Sequence, residues 1–247
     1  TRLVHVENYA GDDEGFTTGT TLNYGARISE VLVRVRSLIK ILEVDAGSPA
    51  DVKNADSVES DVFEKLDDLE KNILEIYDNN RSSIQKLKDG TNRLELMEMF
   101  ESFDINLEYF SGFKSLNVLT GILSSNMEFS VAIGEVIRDG DMIAVFVPVE
   151  DSEDIEQKLI KSGFKSIDPP SGEGPISKGI SVLKSDLQNL ESEIEATGLE
   201  LEALSNRHGQ WLVVAEEHFA AQSEKSSLPL KLALSKNAFV LDGWIPV

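Results

Sequence analysis

Two stretches of this 247-residue chain repeat their apolar residues in alternating steps of four and three. The first runs Val62, Leu66, Leu69, Ile73, Ile76, polar Asn80, then Ile84, Leu87, Thr91 and Leu94. The second runs Ile176, Ile180, Leu183, Leu187, Leu190, Ile194, Thr197, Leu201, Leu204, His208, Trp211, Ala215 and His218. Such spacing is the seam of a coiled coil, and the Glu, Asp and Lys between seam positions suit a solvated face. One extra residue between Asn80 and Ile84 predicts a slip of register that loosens the pairing there. Pro175 behind the turn formers Ser171–Gly174 marks the start of the second helix, and Pro229 marks its end. The two helices would be about 45 and 55 residues long, against about 12 for an ordinary globular helix, and neither can bury its stripe alone.

Between the seams the pattern changes. Leu116–Leu123 and Met142–Val149 read as buried strands, and Phe129–Ile137 alternates loosely as another. Ser152–Ser162 has helical spacing, and Phe164–Ile167 reads as a short strand after Gly163. One long helix leads into this α/β lobe and the other leaves it, so they are expected to run antiparallel. Near the ends, Leu3–Glu7 and Ala238–Leu241 are strand candidates, with a helix over Ile28–Val44. The expected class is α+β: a dumbbell of two small α/β lobes joined by a long antiparallel coiled-coil hairpin. Residues 1–56 and 228–247 form the near lobe, 57–101 and 172–227 the rod, and 102–171 the far lobe.

The net charge is −21, with 41% hydrophobic residues. That apolar share separates the chain from disordered acidic tails. The charge argues against nucleic acid and anionic lipid as partners, since both need a basic face. It is spread over the rod and far lobe; 228–247 alone is net positive, with Lys231 and Lys236 against Asp242. There is no cysteine, which excludes disulfides, thiolate metal sites and a cysteine nucleophile. No apolar run reaches the length of a membrane span. The start at Thr1, directly ahead of an apparent strand, reads as the start of a fragment.

The chemistry of catalysis is hard to find. His208 and His218 are ten residues apart on seam positions, which is not the spacing of a helical metal pair, and packing is the simpler reading. Gly172–Gly179 is glycine-rich and opens a helix, as phosphate loops do. Its Lys178 is followed by Gly179 rather than Ser or Thr, and Pro175 removes a donor, so capping explains it better. The acidic run Glu150–Asp154 suits a helix start. No catalytic residue, metal ligand or cofactor site is expected. The aromatic group Phe100, Phe103, Tyr109, Phe110 and Phe113 packs the far lobe onto the rod or meets a partner. The candidate partner contacts are Phe110, Phe113, Phe129, Phe16 and Trp244.

The C-terminal run Phe239-Val240-Leu241-Asp242-Gly243-Trp244-Ile245-Pro246 resembles the signature near the end of the cytosolic half of the large membrane subunit of rotary ATPases. This is subunit I of archaeal A-type enzymes, the counterpart of subunit a in vacuolar-type pumps. Asp242 departs from the Glu that the family favours there. Leu3–Val6, Ile28-Ser29-Glu30, and Gly163-Phe164 followed by Pro169 and Gly174 resemble the family in the same order. The resemblance implies a non-catalytic stator arm on the cytoplasmic face of the membrane, a soluble piece of an integral membrane subunit. It implies anchoring of peripheral stalks, heterodimers of subunits E and H (or G), in support of proton or sodium transport. The membrane domain and rotor ring would be further partners, with no nucleic acid and no direct small-molecule substrate. Two other readings stand beside it: the arm and hinge lobe of a chromosome-maintenance-like protein, and a ferredoxin-like ligand-sensing module.

Overall fold

A computed structural model describes residues 5–6, 17–44, 62–111, 113–124, 126–235, 238–240 and 243–244. The class is α+β. Two short strands, β1 (His5–Val6) and β2 (Thr17–Thr18), precede helix α1 (Gly25–Ile41) and the 40-residue helix α2 (Val62–Glu101). Then come β3 (Leu116–Ile122), β4 (Glu135–Asp139), β5 (Met142–Pro148), α3 (Ser152–Lys161) and β6 (Lys165–Ser166). The 52-residue helix α4 (Ile176–Ser227) follows, with β7 (Ala233–Leu234), β8 (Phe239–Val240) and β9 (Gly243–Trp244). The chain divides into two compact units, one of residues 1–79 with 197–247, the other of 80–196. Helices α2 and α4 each contribute to both.

In the first unit, β1 pairs antiparallel with β9, His5 opposite Trp244. A second small sheet has the order β2-β7-β8; β2 and β7 carry too few residues to show periodicity. The core is helical. Val31, Leu32, Val35 and Leu38 of α1 pack with Leu66, Leu69, Ile73 and Ile76 of α2 and with Leu204, Leu212, Ala215 and Phe219 of α4.

Helix α4 therefore carries two adjacent stripes here. Leu204, His208, Trp211 and Ala215 follow the predicted seam. One residue further round, Gly209, Leu212, Glu216, Phe219, Ser223 and Ser226 repeat in steps of three and four toward α1. A Cβ on Gly209 would lie 3.0 Å from Val44, and one on Gly25 2.9 Å from the Ser226 hydroxyl. The Arg36 guanidinium is 2.7 Å from Glu216, and the hydroxyls of Ser29 and Ser223 are 3.5 Å apart. Low-numbered residues of α1 meet high-numbered residues of α4, so the two run antiparallel. Arg34 ties α1 to α2, its Nε donating to Glu70 at 2.7 Å beside a second contact to Asp67.

In the second unit, β4-β5-β3-β6 form one antiparallel sheet. Strand β5 is covered on both faces, which is why it reads as a continuous apolar run. Ile143, Val145 and Val147 pack with Leu123, Leu159 and Phe164. Ala144 points the other way, into a cluster with Met97, Phe100, Phe103, Leu107, Phe110, Ile176 and Ile180. Phe100 meets Phe103 and Phe110 edge-on, at centroid distances of 5.7 and 5.3 Å. Strand β4 begins later than the alternation from Phe129 predicts. A Cβ at Gly134 would lie 2.1 Å from the Phe146 carbonyl oxygen, and its φ is +128°, so only glycine admits this approach.

The predicted slip in the first seam is absent. Helix α2 is unbroken, and its stripe continues from Asn80 through Ser83, Leu87, Gly90 and Leu94 to Met97 in the original register. Ser83 is 2% exposed whereas Ile84 is 49% exposed. Asn80 Nδ2 donates to the Ile194 carbonyl at 3.1 Å, and Gly90 lets Leu187 approach so closely that a Cβ would lie 2.6 Å from it. Thr91 is off the seam, its hydroxyl donating back to the Leu87 carbonyl at 2.8 Å. Polar and small residues thus hold seam positions that an apolar template skips. Asn80 beside Ile194, and Glu98 2.8 Å from Lys184, make the paired halves of α2 and α4 in this unit antiparallel.

Candidate docking site

The unit of residues 80–196 exposes large apolar side chains at one end of its sheet. Strand β3 starts at Leu116 opposite Pro148, the last residue of β5. Val149 N–H donates to the Ser115 carbonyl at 3.1 Å, which fixes Val149 at that end. On the other side of β5, the pairing of Glu135 with Phe146 brings Ile133 to the same end. Phe113 precedes Ser115 by two residues. These four are 40% (Phe113), 38% (Leu116), 65% (Ile133) and 50% (Val149) exposed. Exposed Lys114, Glu135, Glu150 and Asp151 flank them. An apolar group with a charged rim is the anatomy of a protein interface.

The aromatic residues singled out in the sequence separate here. Phe110 is 3% exposed and belongs to the cluster with Phe100 and Phe103, so it is a core residue and not a surface contact. Phe129 is half-buried against the Leu123 and Leu159 cluster. Phe113 is at the surface. Phe16, Asp242, Ile245 and Pro246 lie outside the described residues. Gly243 and Trp244 form β9 by their backbone. Leu116, Ile133 and Val149 escape sequence reasoning because each reads as an ordinary strand residue; only pairing reveals that they share an end.

The glycine-rich turn ahead of α4 is closed by the protein itself. Glu108 Oε2 accepts from Gly174 N–H at 2.6 Å, and Gly174 in turn accepts from Leu107 N–H at 3.0 Å. An anion would have to displace Glu108 from the helix start. Hydrogen bonds from its own backbone N–H, then from Gly174 and Asn106, hold the Glu108 carboxyl below its ordinary value of 4.5. The ionised form thus stabilises the fold above that value, and the contribution is lost as pH falls through the lowered one. Glu108→Gln is therefore expected to lower the melting temperature at pH 7, with the gap to wild type narrowing as pH falls below 4.5; a gap that stays constant as pH falls would refute this.

Among the described residues no group of three or more His, Asp or Glu is placed to hold a metal ion. His208 is partly buried on α4, and burial, then the neighbouring charge of Arg207, hold its imidazole below the ordinary histidine range. His218 meets Phe219 edge-on at 5.2 Å. Asp154 at the start of α3 pairs with Lys158 at 2.6 Å. No helix among the described residues is long and apolar enough to cross a membrane.

Fold and surface together describe an α+β protein built on two long helices, with exposed apolar side chains at one end of a sheet. Two curated proteins of similar sequence carry the same name. The chain is 28% identical over 255 aligned residues to A-type ATP synthase subunit I of Halobacterium salinarum, covering 99% of this chain and 35% of that protein. It is likewise 28% identical to A-type ATP synthase subunit I of Archaeoglobus fulgidus, covering 99% of this chain and 37% of that one. The chain is similar to these two proteins over nearly its whole length, and spans about a third of the length of each. No protein-family model matches it. Among solved structures, a crystal structure described as the cytoplasmic N-terminal domain of subunit I, homolog of subunit a, of V-ATPase matches with a TM-score of 0.47 and 14% identity. That match covers 90% of this chain and 77% of the other.

Proposed function

We propose that this chain is the stator arm of an A-type rotary ATPase, a non-catalytic cytoplasmic part of its large membrane subunit. The observation that carries this is the alignment of 99% of the chain with two proteins named A-type ATP synthase subunit I. In this reading the protein is a dumbbell, with a rod of residues 57–101 and 172–227 between a near lobe (1–56 and 228–247) and a far lobe (102–171). The lobes hold the feet of peripheral stalks, the E and H (or G) heterodimers, while a membrane domain beyond this chain faces the rotor ring and carries the proton or sodium path. Two long helices suit that task because continuous seam packing resists bending. The far-lobe docking end, with Phe113 at its edge, is the surface offered to a stalk.

The test is co-purification of this chain with an isolated stalk heterodimer. Binding is expected at low salt, weakening as salt rises, because residues 102–171 carry 12 acidic against 5 basic side chains. Failure to bind at low salt would overturn the reading; binding that ignores salt would remove its electrostatic part.

A further inference from the structure

A second surface lies on the first unit, in a groove of about 580 Å³ lined by Lys65, Asp68, Leu69 and Asn72 of α2 and by Leu204, Arg207, His208 and Trp211 of α4. It exists because α4 is shared between two neighbours. Packing against α1 draws Leu212, at 0% exposure, and Phe219, at 4%, fully into the core. His208 and Trp211, one residue away round the helix, keep their seam register toward α2 but stay only half-buried. An indole left partly open beside Leu69 and Leu204 makes an apolar floor.

The rim has the opposite character to the rest of the helix. Residues 172–227 carry 4 basic and 10 acidic side chains, yet the α4 side of this groove presents Arg207 and His208 and no carboxylate. Lys65 adds a cation from α2, and Asp68 is the one acid in the lining. Arg207 is exposed, and no ion pair within the described residues engages it. The volume lies within the range of small-molecule sites, and grooves between helices are a usual place for them.

We propose that this groove binds a small amphipathic anion, an apolar alkyl or aryl body with a single carboxylate. The body lies on Trp211, Leu69 and Leu204, and the carboxylate meets Arg207. Charge complementarity sets the class: a neutral ligand would leave Arg207 unused, and a cation would face it.

The experiment is a ¹⁹F NMR titration of the 247-residue chain labelled with 5-fluorotryptophan. Two tryptophans give two resonances, assigned with Trp244→Phe. Sodium octanoate at millimolar concentration is expected to shift the Trp211 resonance saturably and leave that of Trp244 in place. The neutral 1-octanol, of equal chain length, should bind about fivefold more weakly, and Arg207→Gln should weaken octanoate about fivefold without altering octanol. Arg207 is exposed, so this variant keeps the fold, and its unaltered octanol binding is the control for that. No saturable shift, equal response to octanoate and octanol, or an unchanged affinity in Arg207→Gln would each overturn the proposal.

Discussion

Phe100→Ala is expected to destabilise the unit of residues 80–196 by about 3–5 kcal/mol, the range for emptying a large aromatic site in a core. Phe100 is 0% exposed and is the largest fully buried side chain of the protein's described residues. Its ring stands against two others at once, with interplanar angles of 74° to Phe103 and 89° to Phe110. Removal therefore opens a cavity and also breaks both edge-on contacts, which alone are worth about 0.5–1.5 kcal/mol each. Little can collapse into the space. Ala144 on the facing strand is too short, and Ile176 and Ile180 are held by their own helix. Hydrogen exchange of β3 and β5 amides reads the effect directly: exchange through opening should accelerate by about two to four orders of magnitude. Both tryptophans lie in the other unit, so fluorescence provides an internal comparison on the same sample. Unchanged protection in β5 would show that the aromatic cluster is not what holds this sheet to the helices.

The legible part of the fold was the part with strong periodicity. Strand β5 lies within one residue of the apolar run Met142–Val149, and α3 within one residue of Ser152–Ser162. Both are dictated by local pattern and bounded by turn residues. Helix α1 starts at Gly25 rather than Ile28, because Gly25 packs on Ser226 of α4, a partner no local pattern shows. The seam of α2 was misread at one step for a similar reason. An apolar template passes over Ser83 and Gly90, yet both face α4, where a small residue permits close approach and Asn80 supplies a hydrogen bond instead of a methyl group. The second stripe of α4, with Gly209, Ser223 and Ser226 among its members, hides in the same way. Small residues at heptad spacing were the available signal. The docking end was not legible, since Ile133, Val149 and Leu116 converge only through strand pairing.

The double substitution Ile133→Asp with Val149→Asp should weaken stalk binding by about 100-fold or more while leaving the fold intact. Both positions are exposed, at 65% and 50%, so neither carboxylate is buried in the free protein. Surface changes of this kind alter stability by about 0.5 kcal/mol or less. Asp at position 149 is favoured further, because Val149 opens a short helical turn where negative charge suits the backbone dipole. In a complex the balance reverses. Apolar contacts at an interface centre contribute about 2 kcal/mol or more apiece, and each new carboxylate would lose its water without a partner built for it. A basic stalk surface could draw the chain in from a distance, but attraction at the rim does not offset a charge forced into an apolar centre. Ile160→Asp is the control: Ile160 is 51% exposed on α3, outside the four-residue group at the sheet end, so it should bind as wild type does. Binding measured by biolayer interferometry at low salt separates the possible failures. If wild type binds and the double variant binds equally, this end of the sheet is not the docking surface and the stator reading survives. If wild type itself fails to bind, the reading falls before the residues are tested.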